Sequence, residues 1–105
     1  MGDIPTSIRR TVRVSAELRE LTPRYLAHRR GDVDQLREAI DREDFETVRV
    51  IGHAMRGSGA AYGFDDITGL GAEIERLAKQ ADAPGLDAAV TSLTGYLDSV
   101  ELIFD

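Results

Sequence analysis

The apolar residues of this chain recur at intervals of three and four in four separate segments, and that spacing leaves little choice of fold. Leu26, Val33, Leu36 and Ile40 form one stripe; Val48, Ile51, Met55 and Tyr62, with Phe45 one turn earlier, form a second. Ile67, Leu70, Ile74, Leu77, Ala78 and Ala81 form the third, and Leu86, Val90, Leu93, Leu97, Val100 and Phe104 the fourth. At about 100° per residue each set falls on one face of an α-helix and points into a shared core. No segment shows convincing strand alternation, and no long repeat is evident. Short polar links join the segments, so the expected fold is all-α, an antiparallel up-down-up-down four-helix bundle.

Capping signals set the expected boundaries. Ser15 suits the N-cap of a short helix over residues 16–21, lying across one end of the bundle, with Glu17 in its first turn. Thr22-Pro23 reads as N-cap and first position of a helix reaching about Arg42, weakened but not broken by Gly31 and Asp32. Asp44 can cap the next helix, and Gly63 suits a left-handed position at its end. Asp65-Asp66 places acids at the positive end of the third helix, and Asp82-Ala83-Pro84-Gly85 reads as a turn before the fourth. Residues 1–14, with Pro5 and scattered Thr, Ser and Arg, are expected to be a flexible arm that docks through Val12 and Val14. Residues 15–105 form the bundle domain.

Composition narrows the chemistry. The chain has 105 residues, no cysteine and a formal net charge of −6. Thiolate metal sites and disulfides are excluded, and an acidic chain without a basic stripe is a poor binder of nucleic acid. Arg24, His28, Arg29 and Arg30 make the only local basic cluster, read as a solvated helix face. No apolar run spans a bilayer and no leader opens the chain, so a soluble, cytoplasmic protein is expected. Residues 1–6 fit the short, degenerate myristoylation pattern, with nothing else pointing to a membrane.

His53 breaks the pattern of its helix. It lies roughly opposite Val48 and Met55, with Arg49 one turn before it, Arg56 and Gly57 one turn after, and Ala60 and Ala61 two turns after. An imidazole therefore stands on the solvent side, flanked by guanidinium groups and floored by small residues. Gly52, Gly57 and Gly59 each cost the helix up to about 1 kcal/mol against Ala. Two explanations stand for Gly52 and Gly59, which lie near the buried side: a closely packed neighbouring helix, or close approach of a ligand to the histidine. Gly57 shares the histidine's own face.

Most chemistries do not fit. Ser58 lies well round the helix from His53, which is poor geometry for a nucleophilic triad. A di-iron bundle needs Glu-x-x-His, but Val50 and Tyr25 stand three residues before the two histidines. Two histidines without cysteine make a poor zinc site, and there is no Gly-rich phosphate loop. A neutral imidazole that accepts a phosphoryl group remains, with a guanidinium one turn away to bind the phosphoryl oxygens.

The stretch His53-Ala54-Met55-Arg56-Gly57-Ser58-Gly59-Ala60-Ala61-Tyr62-Gly63 resembles the central motif of histidine-containing phosphotransfer (HPt) domains, His-x-x-Lys-Gly, five residues, then Gly. The similarity covers about residues 21–104. It implies a phosphoryl carrier without kinase activity of its own, needing no cofactor. Its partners would be response-regulator receiver domains and a hybrid or upstream histidine kinase. Carried over, His53 is the phosphoacceptor, Arg56 its phosphoryl partner in place of the usual lysine, and Gly57, with Ala60 and Gly63, the clearance for docking. A monomer is expected. A histidine-kinase dimerisation module is a poorer match, since Ala54 and Met55 stand where an acid and soon a proline usually follow. A bundle adaptor without phosphotransfer is the other alternative.

The imidazole needs a partner to fix one ring nitrogen as donor. Counting back from a hairpin turn at Gly63-Phe64 sets His53 level with Ile74 and Glu75, and Arg49 opposite Ala78 and Lys79. Ile74 belongs to the apolar stripe, which leaves Glu75 to accept from Nδ1–H, with Lys79 at the edge of the site. The competing reading is an exposed Glu75 paired with Lys79 at i+4.

Overall fold

The computed structural model describes residues 10–104. The start of the expected arm, with Pro5 and the residue 1–6 pattern, lies outside them. Four helices dominate: α1 (Thr22–Asp41), α2 (Phe45–Gly59), α3 (Asp65–Lys79) and α4 (Ala83–Ser99). Each packs on two neighbours, in the ring α1–α2–α3–α4–α1. Leu36, Val48, Met55, Ile67, Ile74 and Leu93 lie fully buried at the centre. Among the described residues no helix is long and apolar enough to cross a membrane.

Two short strands were not expected. β1 (Arg10–Val14) and β2 (Val100–Phe104) pair in parallel, Arg10 opposite Val100 and Val14 opposite Phe104. Residues 10–14 are therefore a strand and not part of a loose arm, and Val100 and Phe104 leave the fourth helical stripe. The physical reason is an ambiguity of period. Positions four apart share a face in a helix and in a strand alike, and in β2 Val100, Leu102 and Phe104 turn inward while Glu101 and Ile103 are exposed. Val12 and Val14 do pack against the core, as expected of the arm.

Local hydrogen bonds explain the remaining boundaries. Asp44 caps α2, accepting from the Thr47 N–H at 3.2 Å and its hydroxyl at 2.6 Å. Asp82 accepts from Gly85 N–H at 3.0 Å, so Ala83-Pro84-Gly85 is the first turn of α4, not a separate turn. Thr22 is the first residue of α1, not its cap: its hydroxyl donates back to the Leu18 carbonyl at 2.7 Å, and Leu21 precedes the helix. The short helix expected over residues 16–21 is a single 3-10 turn, Ala16–Leu18. α2 ends at Gly59 and tightens into a 3-10 turn, Ala60–Tyr62, closed by Gly63 at φ +91°. Ala81 falls beyond α3 with φ +52° and is exposed, so it leaves the third stripe.

The basic cluster on α1 is partly tied into the bundle. Arg29 donates to Ser58 Oγ at 3.1 Å, sits 2.7 Å from Asp32 and lies over the Tyr25 ring. Arg30 donates to the Leu97 carbonyl at 2.6 Å and pairs with Asp98. These two are helix-to-helix ties, not the solvated face expected.

The tightest packing is between α2 and α3. A methyl group at Gly71 would lie 2.5 Å from the Arg56 backbone nitrogen and 2.7 Å from the Gly52 carbonyl oxygen. One at Gly52 would meet Glu75 N at 2.8 Å, and one at Gly59 would meet Thr68 N at 2.5 Å. Gly52 and Gly59 thus serve helix packing. At Gly57 nothing lies within 4 Å. Gly71→Ala is expected to lower unfolding stability by about 1–3 kcal/mol through overpacking, whereas Gly57→Ala should raise it by up to about 1 kcal/mol through helix propensity. Urea unfolding of the two variants checks both signs.

Candidate functional site

His53 projects from α2 opposite the buried Val48 and Met55, with its side chain 60% exposed. Directly beside it, the Gly52–Gly71 contact brings the α3 backbone close enough for Glu75 to reach under the ring. His53 Nδ1 lies 3.0 Å from Glu75 Oε2. Glu75 is not the exposed residue of the competing reading, since only 6% of its side chain is exposed. Arg56 Nη1 stands 3.1 Å from Glu75 Oε1, an ion-pair distance without the alignment of a hydrogen bond, and Oε1 makes no hydrogen bond. Lys79 Nζ is 4.0 Å from Oε2.

Burial pushes the Glu75 carboxyl toward its neutral form. The His53 hydrogen bond and the charges of Arg56 and Lys79 outweigh it and hold the group below the ordinary glutamate range. An ionised carboxylate can only accept. The proton of neutral His53 therefore sits on Nδ1, which leaves the lone pair on Nε2.

The other expected site residues fall in different places. Arg49 is held on its own helix by Glu46, at 2.9 and 2.7 Å. Gly57 and Ala60 are open to solvent beyond His53. Gly63 has a conformational part, its left-handed φ ending the turn after α2, with the Arg13 carbonyl oxygen the nearest atom to an added methyl at 3.7 Å. Ser58 turns to α1, bonded to the Tyr25 hydroxyl at 2.9 Å and to Arg29. His28 is exposed on α1. Among the described residues no group of three or more His, Asp or Glu side chains is placed to hold a metal ion.

Two residues that support the site escaped the sequence reading. The Thr68 hydroxyl accepts from Ala60 N–H at 2.8 Å and donates to the Arg56 carbonyl at 3.1 Å, tying α3 to the last turn of α2 where backbone groups lose their helical partners. Gly71 provides the other half of the close contact with Gly52. A glycine inside an amphipathic helix was its only signal; nothing in the sequence marked Thr68.

The site is thus an exposed histidine on one helix of a four-helix domain, fixed by a carboxylate from the next. The chain belongs to the Hpt domain family, whose model matches residues 20–102. The family passes phosphoryl groups through a histidine in phosphorelays, between kinase and receiver domains, as a carrier and not a catalyst. No curated protein and no solved structure matches the chain.

The depressed Glu75 value fixes a sign. A carboxyl held below its unfolded value contributes stability that is present above the ordinary glutamate range and lost as pH falls through the folded value. A carboxyl-detected NMR titration should give Glu75 a midpoint below those of exposed glutamates, and Glu75→Gln should flatten the acid limb of stability against pH. A midpoint at or above the exposed ones would mean that burial wins.

Proposed function

We propose that His53 accepts a phosphoryl group on Nε2 from the aspartyl phosphate of a receiver domain and returns it to another. The observation that carries this reading is the 3.0 Å contact between His53 Nδ1 and the buried Glu75 carboxylate, with the ring otherwise exposed. Burying a carboxylate is costly and adds nothing to an apolar core. An adaptor would have no use for it, whereas an imidazole nucleophile needs its tautomer fixed.

The lone pair of Nε2 attacks phosphorus, and an N–P bond forms as the P–O bond to the aspartate breaks. The aspartate leaves as carboxylate, the ring becomes an imidazolium, and its proton stays on Nδ1 facing Glu75. The developing positive charge is thus stabilised across 3.0 Å. Arg56 supplies donors for the phosphoryl oxygens, with a planar fork in place of the single ammonium of the usual lysine. The reverse path transfers the group onward.

Open space at Gly57 and Ala60 supports close approach of a receiver. The bundle is read as antiparallel: Gly59 meets Thr68 while Gly52 meets Gly71 and Glu75, and Tyr25 near the start of α1 meets Ser58 near the end of α2. Receivers and a hybrid or upstream histidine kinase are the proposed partners of a cytoplasmic monomer without a cofactor.

His53→Gln should abolish labelling by a phosphorylated receiver while changing stability by about 0.5 kcal/mol or less; undiminished labelling would remove His53 from the reading. Gly57→Leu should fold normally and lose receiver binding, measured by calorimetry.

A further inference from the structure

Glu75 has more charge around it than its hydrogen bonds use. Oε2 takes the His53 Nδ1–H, and Oε1 has only Arg56, 3.1 Å away and not aligned. Lys79 Nζ stands 4.0 Å from Oε2, too far for a hydrogen bond. A carboxylate this buried needs compensation at all times. On the proposed function Arg56 has a second claimant. A phosphoryl group on Nε2 offers more charge and more acceptors to a guanidinium than one carboxylate oxygen does, and it sits on the opposite nitrogen of the same ring. Arg56 cannot serve both sides of the imidazole in full.

Resting on that reading, we propose that Lys79 is a positioning residue that exchanges with Arg56. While His53 is unmodified, Arg56 stays on Glu75. Once the phosphoryl group is in place Arg56 turns to it, and Lys79 closes the remaining distance to the carboxylate. The placement suits this exchange. Lys79 follows Glu75 by four residues on α3, the favoured order for an acid–base pair on one helix. Its side chain is 61% exposed, on a flexible stem with an ammonium that needs no planar alignment. The Arg56 side chain is 48% exposed and free to swing outward. No bond is made or broken by the exchange itself. Its effect is to keep Glu75 charged, so that the carboxylate goes on holding Nδ1–H in the phosphorylated form as it does in the unmodified one.

The test follows the Lys79 ammonium by nitrogen-15 NMR in the full chain. In the unmodified protein its protons should exchange with water too fast to be seen. In Arg56→Gln, where Glu75 has lost its first cation, a slowly exchanging Lys79 signal should appear. It should also appear in the unsubstituted chain treated with phosphoramidate, whose N–P bond breaks as the His53 N–P bond forms and ammonia leaves. Lys79→Met should shorten the lifetime of the phosphohistidine by about twofold or more, and Lys79→Arg should restore it. A Lys79 ammonium as mobile in Arg56→Gln as in the unsubstituted protein overturns the exchange, as does an unchanged lifetime in Lys79→Met. Failure of a phosphorylated receiver to label His53 would instead count against the proposed function, and the Arg56→Gln comparison would still decide the exchange.

Discussion

The site depends on how closely two helix backbones approach. At Gly52 and Gly71 there is no room for a methyl group between α2 and α3: one on Gly71 would come within 2.5 Å of backbone nitrogen. Ordinary helix pairs stand 8–10 Å apart because side chains separate them. Here that separation is given up locally, and a glutamate on α3 then reaches an imidazole on the outer side of α2. Each interior glycine costs its helix up to about 1 kcal/mol in propensity. Met55 lies against Gly71 and Ile74 against Gly52, and both side chains are without exposure. Thr68 then holds the last turn of α2 to α3, so the ring and its carboxylate ride on one rigid pair.

Much of this arrangement was legible in the sequence. The positions of the four helices follow from apolar spacing, and Asp44 and Gly63 mark the two ends of the segment that holds His53. The level of Glu75 against His53 comes from counting residues about a turn, because two helices joined by a tight turn pair at equal distances from it. The carboxylate's burial did not come from that count. A polar residue on an amphipathic helix is assigned to solvent by pattern, and only the missing side chains at Gly52 and Gly71 let Glu75 sink beneath the histidine. The parallel strands were hidden for a different reason. β1 and β2 stand at opposite ends of the described chain, so their pairing is a long-range choice with no local turn to announce it. In β2 the inward positions also satisfied a helical spacing.

α2 carries two unlike surfaces on either side of its buried stripe. Toward α1, Ser58 is locked by the Tyr25 hydroxyl and Arg29, and Tyr25 stacks on Tyr62 with ring centroids 4.3 Å apart. On that side Ser58 is held by two hydrogen bonds and the rings are packed. Toward α3 the groups are charged and partly exposed, with Glu75 as the one acid among His53, Arg56 and Lys79. Packing on the first side holds the helix in place, and the second side leaves Arg56 and Lys79 beside the exposed ring.

That excess of positive charge matters more because the chain as a whole is acidic, with a net charge of −6. On the proposed function the incoming group is a receiver's phosphorylated aspartate, itself a cluster of negative charge, which the net charge of this chain repels. Repulsion of this kind is screened over about a Debye length, roughly 8 Å at physiological ionic strength, while contacts at 3–4 Å are screened far less. On the proposed function, Arg56 and Lys79 would reach the incoming group only at contact, once a partner seated over the open space at Gly57 and Ala60 had brought its phosphoryl group to Nε2. On that reading selection at a distance and stabilisation at contact fall to different features: shape and net charge bear on what is seated, and the Glu75-centred group on what happens to it there. On the proposed exchange, Arg56 passes from Glu75 to the phosphoryl group and back as the cargo arrives and leaves, while Lys79 keeps the carboxylate compensated in between.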